Sequence, residues 1–275
     1  MRKRARRADL PSSPGTESRP TAGPTPGSTG PAAAAPQLLA GYRVVRRLGS
    51  SGRADVYLGH AGHGDTPEGA GRAAGVALKV FGAETDPASI EREIRALSET
   101  QAGRLPELLD VATLPDARVC LVLERLAGPP LSRYLGSIDR IEPGEAVTIL
   151  APIVTALSAL HEAGFAHEGL SQSTVLFDGR GRPVVTGLGA LGDLPPTGMA
   201  RTPALRADYV RIGLLVRGVF DCLDPLGSAA PTADHLATGF EQASTVVPFR
   251  PCLHELEQRL FDWSPATAVR LRVAG

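Results

Sequence analysis

Lysine is nearly missing from this sequence of 275 residues: Lys3 and Lys79 are the only two among 29 basic residues, and the others are arginine. With abundant alanine, glycine and proline, this composition suggests a GC-rich bacterial genome. Cysteine is scarce too. Cys120, Cys222 and Cys252 are scattered and odd in number, so neither a disulfide framework nor a cysteine-built metal site follows from them. A reducing, cytoplasmic setting is the simplest that fits. Net charge is zero, which removes any global field that would draw nucleic acid or a membrane surface. No signal peptide is visible, because the basic start runs into Pro, Ser and Gly rather than an apolar stretch. The most apolar run, 145–161, is short for a bilayer crossing and carries Pro152; it reads as a buried core helix, and no membrane span is expected. What is there is 43 % apolar residues, enough for one two-lobed domain or two small ones.

Along the chain the texture changes once. Residues 1–37 are rich in Pro, Gly, Ser, Thr and Ala and read as a disordered tail. The tail opens on a basic cluster, Arg2, Lys3, Arg4, Arg6 and Arg7, which reads as a solvated end, with contact to acidic lipid or nucleic acid as the sharper alternative. From Tyr42 the pattern becomes strand-like over 42–48, 55–58 and 76–81, with a turn at 49–54 and a Gly-rich loop at 60–75. Asp86 offers an N-cap and Pro87 a first helical position; Ile90, Ile94 and Leu97 follow at helical spacing. A short strand is expected over 119–123. After Gly128 the pattern is helical over 131–135, 145–162, 209–223 and 253–261, interrupted by strand-like runs at 174–177 and 183–186. Strands first and helices later suggest an α+β protein with segregated lobes.

Several segments carry chemistry in their order. Leu48-Gly49-Ser50-Ser51-Gly52-Arg53-Ala54-Asp55-Val56-Tyr57 is a glycine-bearing turn between strands, in which glycine leaves the backbone free of side chains. Val76-Ala77-Leu78-Lys79 places Ala77 and Lys79 on one strand face, and Lys79 is the only lysine after Lys3. In an arginine-using chain that compact ammonium suggests a need for a point charge. Glu93, with Glu91 as the competing choice, lies on the next helix. Leu121-Val122-Leu123-Glu124-Arg125-Leu126 precedes Gly128. His161 and His167-Glu168-Gly169-Leu170 end the long apolar helix, and Val184-Val185-Thr186-Gly187-Leu188-Gly189 follows.

Taken together, over about 42–260, these segments resemble the protein kinases, in particular the bacterial serine/threonine family. The resemblance implies an α+β, two-lobed protein kinase-like fold with a strand-rich N-lobe (42–123) carrying one helix and a mainly helical C-lobe (124–265), within a domain 38–265 followed by a tail 266–275. It implies an ATP site of Gly49, Gly52, Val56, Ala77, Lys79, Glu93, Leu123 and Glu124, with Leu123 as gatekeeper. It also exposes departures. Ser51 and Ala54 stand where glycines are usual. Gly169 replaces the catalytic aspartate, Glu168 the preceding arginine, Ser171 the usual lysine, Thr174 the metal-binding asparagine and Gly187 the metal-binding aspartate. Leu188 and Gly189 keep the rest of that motif. Asp208 and Gly213 resemble the start of the buried C-lobe helix whose aspartate braces the catalytic loop. No Ala-Pro-Glu precedes it, and Arg250-Pro251 lacks the glutamate that its arginine would meet.

The expectation is therefore a degenerate kinase-like domain with no catalytic residues and no bound metal, binding ATP weakly and with little need of Mg²⁺. A protein partner in a signalling pathway is expected, and no nucleic acid. The alternatives are a weakly active or atypical Ser/Thr kinase, for which Glu168 and Asp193 are the candidate substitutes, and an interaction module that binds no nucleotide.

Overall fold

The computed structural model describes residues 38–61, 75–100, 104–198, 200–247, 249, 250 and 252–271. The expected tail 1–37, most of the expected loop 60–75, and Pro251 of the Arg250-Pro251 pair lie outside the described residues.

An antiparallel sheet forms first, from β1 (Leu38–Leu39), β2 (Tyr42–Ser50), β3 (Ala54–Ala61), β4 (Val76–Phe81), β5 (Leu108–Thr113) and β6 (Val119–Glu124), in the order β1-β2-β3-β4-β6-β5. Alternation along β4 and β6 divides the side chains between two clusters. Val76, Leu78, Val80, Cys120 and Val122 pack on one side. Phe81, Leu121 and Leu123 pack on the other, against Ile90 of helix α1 (Pro87–Glu99). That helix starts where expected: the Asp86 carboxylate accepts the Ala88 N–H at 3.1 Å and Pro87 occupies the first turn. Its buried face carries Ile90, Glu93 and Ala96, while Glu91 is exposed. Burial thus selects Glu93 over Glu91 as the glutamate that faces the sheet.

The second half is helical: α2 (Leu131–Leu135), α3 (Pro143–Glu162), α4 (Arg201–Phe220), α5 (Ala230–Thr245) and α6 (Leu253–Trp263). Two small antiparallel pairs line its upper surface, β8 (Val175–Phe177) with β9 (Pro183–Val185) and β7 (Phe165–Ala166) with β10 (Gly192–Asp193). A 3-10 turn spans Leu188–Ala190. The 20-residue α3, which contains the apolar run 145–161, is long and apolar enough to cross a membrane by length and composition alone. Most of it is buried within the domain, against α4, α6 and β9.

Three further differences from the sequence reading have local causes. Helix α4 begins at Arg201 and not at 209; Pro203 falls in its first turn, where proline is tolerated. Helix α5 escaped notice because its buried face is built largely of small residues, Ala233, Ala237 and Ser244, around Leu236 and Phe240. The stretch expected as a tail from 266 is packed down through Leu271. The Thr267 N–H donates to the Gly144 carbonyl at 3.0 Å, the Arg270 N–H donates to Glu145 Oε1 at 3.1 Å, and Val269 and Leu271 pack on the helical core.

Candidate functional site

Strand register builds the upper wall of a cleft between the sheet and the helical half. β3 and β4 pair Val56 with Lys79, and β4 and β6 pair Ala77 with Leu123. Val56, Ala77 and Leu123 therefore line the cleft with Leu48, Leu97 and Leu126, and Leu176 and Leu188 of the helical half complete it. The cleft holds ≈ 410 Å³, within the range of small-molecule sites. Glu124 closes one end; its N–H donates to the Glu107 carbonyl at 2.9 Å, which tethers the segment joining the two halves.

At the other end Lys79 Nζ donates to both carboxylate oxygens of Glu93, each at 2.5 Å, and both side chains are largely buried. A second ion pair, Arg92 to Asp193 at 2.8 Å, ties the same helix to β10. Asp193 is therefore engaged with Arg92, and the Glu168 carboxylate lies directly over Gly192 on the same strand. Neither of these carboxylates is among the residues lining the cleft.

Gly49 lines the cleft, whereas Gly52 sits at the exposed hairpin tip. Ser51 closes that tip on itself. Its N–H donates to the Ala54 carbonyl at 2.8 Å, and its hydroxyl accepts the N–H groups of Arg53 at 3.3 Å and Ala54 at 3.1 Å. The N–H groups of Ser51, Arg53 and Ala54 are thus already engaged within the turn.

Below the cleft the backbone is set by one carboxylate. Asp208 is fully buried and accepts from the His167 N–H at 2.6 Å and the Glu168 N–H at 2.8 Å, with His161 Nε2 at 2.9 Å. Burial pushes this carboxyl up, but the hydrogen bonds from His161 and the two N–H groups outweigh it and hold it below the usual carboxylate range. Gly169 follows on this braced turn; a side chain there would meet the Ala190 Cβ at 3.0 Å. Gly187 has φ +82°, and a Cβ on it would meet Thr174 Cγ2 at 2.8 Å. Thr174 Oγ1 accepts the Ser171 N–H at 2.9 Å. Among the described residues no group of three His, Cys, Asp or Glu side chains could hold a metal ion.

His167 is fully buried; its Nε2 lies 2.9 Å from the Thr186 carbonyl and its Nδ1 accepts the Gly169 N–H at 3.3 Å. These partners fit the neutral Nε2–H tautomer. Burial holds its pKa below the ordinary 6.5, against the opposing pull of the Asp208 charge. From about pH 6.5 down to the folded value, the unfolded chain takes a proton that the folded chain refuses, so stability rises with pH across that window. Acidification from pH 7.5 to 5.5 is expected to lower the unfolding free energy of the wild type, read from urea denaturation, more than that of His167→Gln, by up to about 1.4 kcal/mol per unit of depression. Parallel pH profiles for the two proteins would rule this out.

No protein-family model matches the chain. Individual proteins do. It is 28 % identical over 166 residues to a probable serine/threonine-protein kinase PknB of Lactococcus lactis, covering 58 % of this chain and 25 % of that protein. It is 31 % identical over 140 residues to the serine/threonine-protein kinase Pkn1 of Myxococcus xanthus, covering 49 % of this chain and 18 % of that protein. With CBL-interacting protein kinase 4 of rice it shares 30 % identity over 193 residues, 67 % of this chain and 41 % of that protein. The match spans less than half the length of each of these relatives. With the antiparallel sheet, the helical half and the cleft between them, these likenesses show that the chain contains an α+β, two-lobed, protein kinase-like domain.

Proposed function

We propose that the chain is a pseudokinase, a kinase-like domain that binds nucleotide weakly, transfers little or no phosphate and acts as a regulatory or scaffolding component toward a protein partner in signalling. The observation that carries the reading is an asymmetry across the cleft. Above it the Lys79–Glu93 pair is formed; below it positions 169, 174 and 187 hold Gly, Thr and Gly. An adenine fits the apolar end between Ala77, Leu123 and Leu176, and Lys79 faces the phosphate end. The metal that phosphoryl transfer uses does not fit. Mg²⁺ asks for carboxylate oxygens in near-octahedral order, and Thr174 offers one hydroxyl that is already engaged.

The cost in rate is large. A missing positioned base removes ~10²–10⁴ and a missing electrostatic group ~10²–10³, and the factors do not simply multiply. A combined loss of ~10⁴ from the ~1–100 s⁻¹ of ordinary kinases leaves one turnover in minutes to hours. Labelled-phosphate release and transfer from ATP are the test. Turnover near 1 s⁻¹, abolished in Lys79→Ala, would overturn the assignment in favour of an active kinase, and slower turnover that Lys79→Ala still abolishes would favour the weakly active or atypical enzyme. A second reading, an interaction module that binds no nucleotide, draws on the Ser51 hydroxyl occupying the loop N–H groups; absence of any thermal shift with ATP or adenosine would favour it.

A further inference from the structure

We propose that Arg53 is the cation that meets the terminal phosphates of a nucleotide in place of a divalent metal, so that the cleft prefers a metal-free nucleoside di- or triphosphate. This rests on the nucleotide-binding reading above. Arg53 sits at the tip between β2 and β3, and its carbonyl accepts both the Gly82 N–H and the Thr85 hydroxyl at 2.8 Å, which hold the loop from behind. Arg53 is not itself among the residues lining the cleft, but its neighbours Ser51 and Ala54 are, and its guanidinium donates from Nη1 to the carbonyl of Gly189, which follows the lining residues Gly187 and Leu188. Gly189 lies against the buried ion pair: a Cβ on it would be 3.6 Å from both Lys79 Nζ and Glu93 Oε2. The two cationic side chains therefore converge on one residue at the phosphate end.

Their charges are not equivalent. Lys79 is offset by Glu93. Among the described residues no carboxylate pairs with Arg53; its guanidinium partner is a neutral carbonyl. Five N–H donors in a planar fork allow the guanidinium to keep that bond and still bind an anion. Since Ser51 occupies the N–H groups of Arg53 and Ala54, the Arg53 side chain is the charged donor at the tip. The absence of a carboxylate at 187 completes the argument. In a site that uses metal that carboxylate repels a bare polyphosphate until the cation arrives. Here a bare polyphosphate meets a net positive charge, and a bound Mg²⁺ would cancel part of the ligand's charge and stand beside a guanidinium with no carboxylate to hold it.

Calorimetric titration of the full chain with ATP, in EDTA and in excess MgCl₂, tests this, with adenosine as a control. The wild type is expected to bind ATP about tenfold tighter in EDTA. Arg53→Ala is expected to lose about tenfold in EDTA and little in MgCl₂, so that the two conditions converge, while adenosine binding is unchanged; tenfold is the scale of one charge-assisted hydrogen bond at a partly exposed site. Arg53→Lys should recover part of the loss. Equal affinity of wild type and Arg53→Ala for ATP in EDTA would overturn the role of Arg53 and leave the nucleotide reading standing. Failure of the wild type to bind either ATP or adenosine would overturn both.

Discussion

Asp208→Ala is expected to cost about 3–5 kcal/mol, enough to leave the chain largely unfolded at mild urea concentrations. Asp208 is fully buried and serves three partners at once, the His167 and Glu168 N–H groups and the His161 ring. Removing it orphans two backbone donors, each costing roughly 1–3 kcal/mol, and opens a hole between α4 and the turn that carries Gly169. Whole domains hold only about 5–15 kcal/mol, so one side chain here decides whether the C-lobe forms. Asp208→Asn keeps an acceptor but sets an amide NH₂ where one donor now points, and should fall between the two. The pH dependence has a fixed sign. A carboxyl held below its ordinary value contributes stability above the unfolded pKa of about 3.9 and loses it as pH falls through the lower folded value. Urea midpoints of the three proteins at neutral pH make the comparison, and a loss below about 1 kcal/mol for Asp208→Ala would show that the brace is not what holds this turn.

How much of this could be read beforehand varied with the range of the interaction. Strand β4 was legible because alternation is local: Ala77 and Lys79 share a face whatever lies beyond, and the lone late lysine marked the position. The start of α1 was legible for the same reason, since Asp86 and Pro87 act within one turn. Strand β5 was not. It is an edge strand with Leu109 and Val111 exposed and a register irregularity after Leu108, so its apolar residues do not mark the buried face. The first two turns of α4 were concealed by Pro203, which reads as a breaker until the helix start is known. In the site, seven of the eight residues expected at the ATP site line the cleft, all but Gly52, but the closure of the tip by Ser51 depends on hydroxyl geometry within a turn. The reach of Arg53 to Gly189 joins residues 136 positions apart, and no local pattern announces such a contact. Tyr209 belongs with these. Its hydroxyl accepts the N–H groups of Cys252 and Leu253 and so caps the start of α6 from α4, a role that an aromatic residue in an apolar stripe does not advertise.

The other large effect follows from positions 174 and 187, where the proposed function has Thr and Gly in place of metal ligands. Thr174→Asn with Gly187→Asp together should turn Mg²⁺ from a competitor into a requirement, with ATP binding at least about tenfold tighter in MgCl₂ than in EDTA. A carboxylate and an amide oxygen would then face the phosphate end, the hard oxygen donors that Mg²⁺ takes. The two changes are coupled through space. Gly187 sits at φ +82°, and its missing Cβ would stand 2.8 Å from Thr174 Cγ2. Gly187→Asp alone is therefore expected to destabilise by about 1–3 kcal/mol, part of it backbone strain that Asp tolerates better than most residues. Asn lacks the Thr174 methyl, so the double variant should be more stable than the sum of the single changes predicts, the sign of direct contact in a double-mutant cycle. Urea denaturation of the four proteins reads the coupling, and calorimetry in the two buffers reads the metal dependence. Additive stabilities would mean that the neighbours at 174 and 187 do not constrain each other. A double variant that still prefers EDTA would mean that something other than the lost ligands, with Arg53 the first suspect, keeps Mg²⁺ out of the cleft.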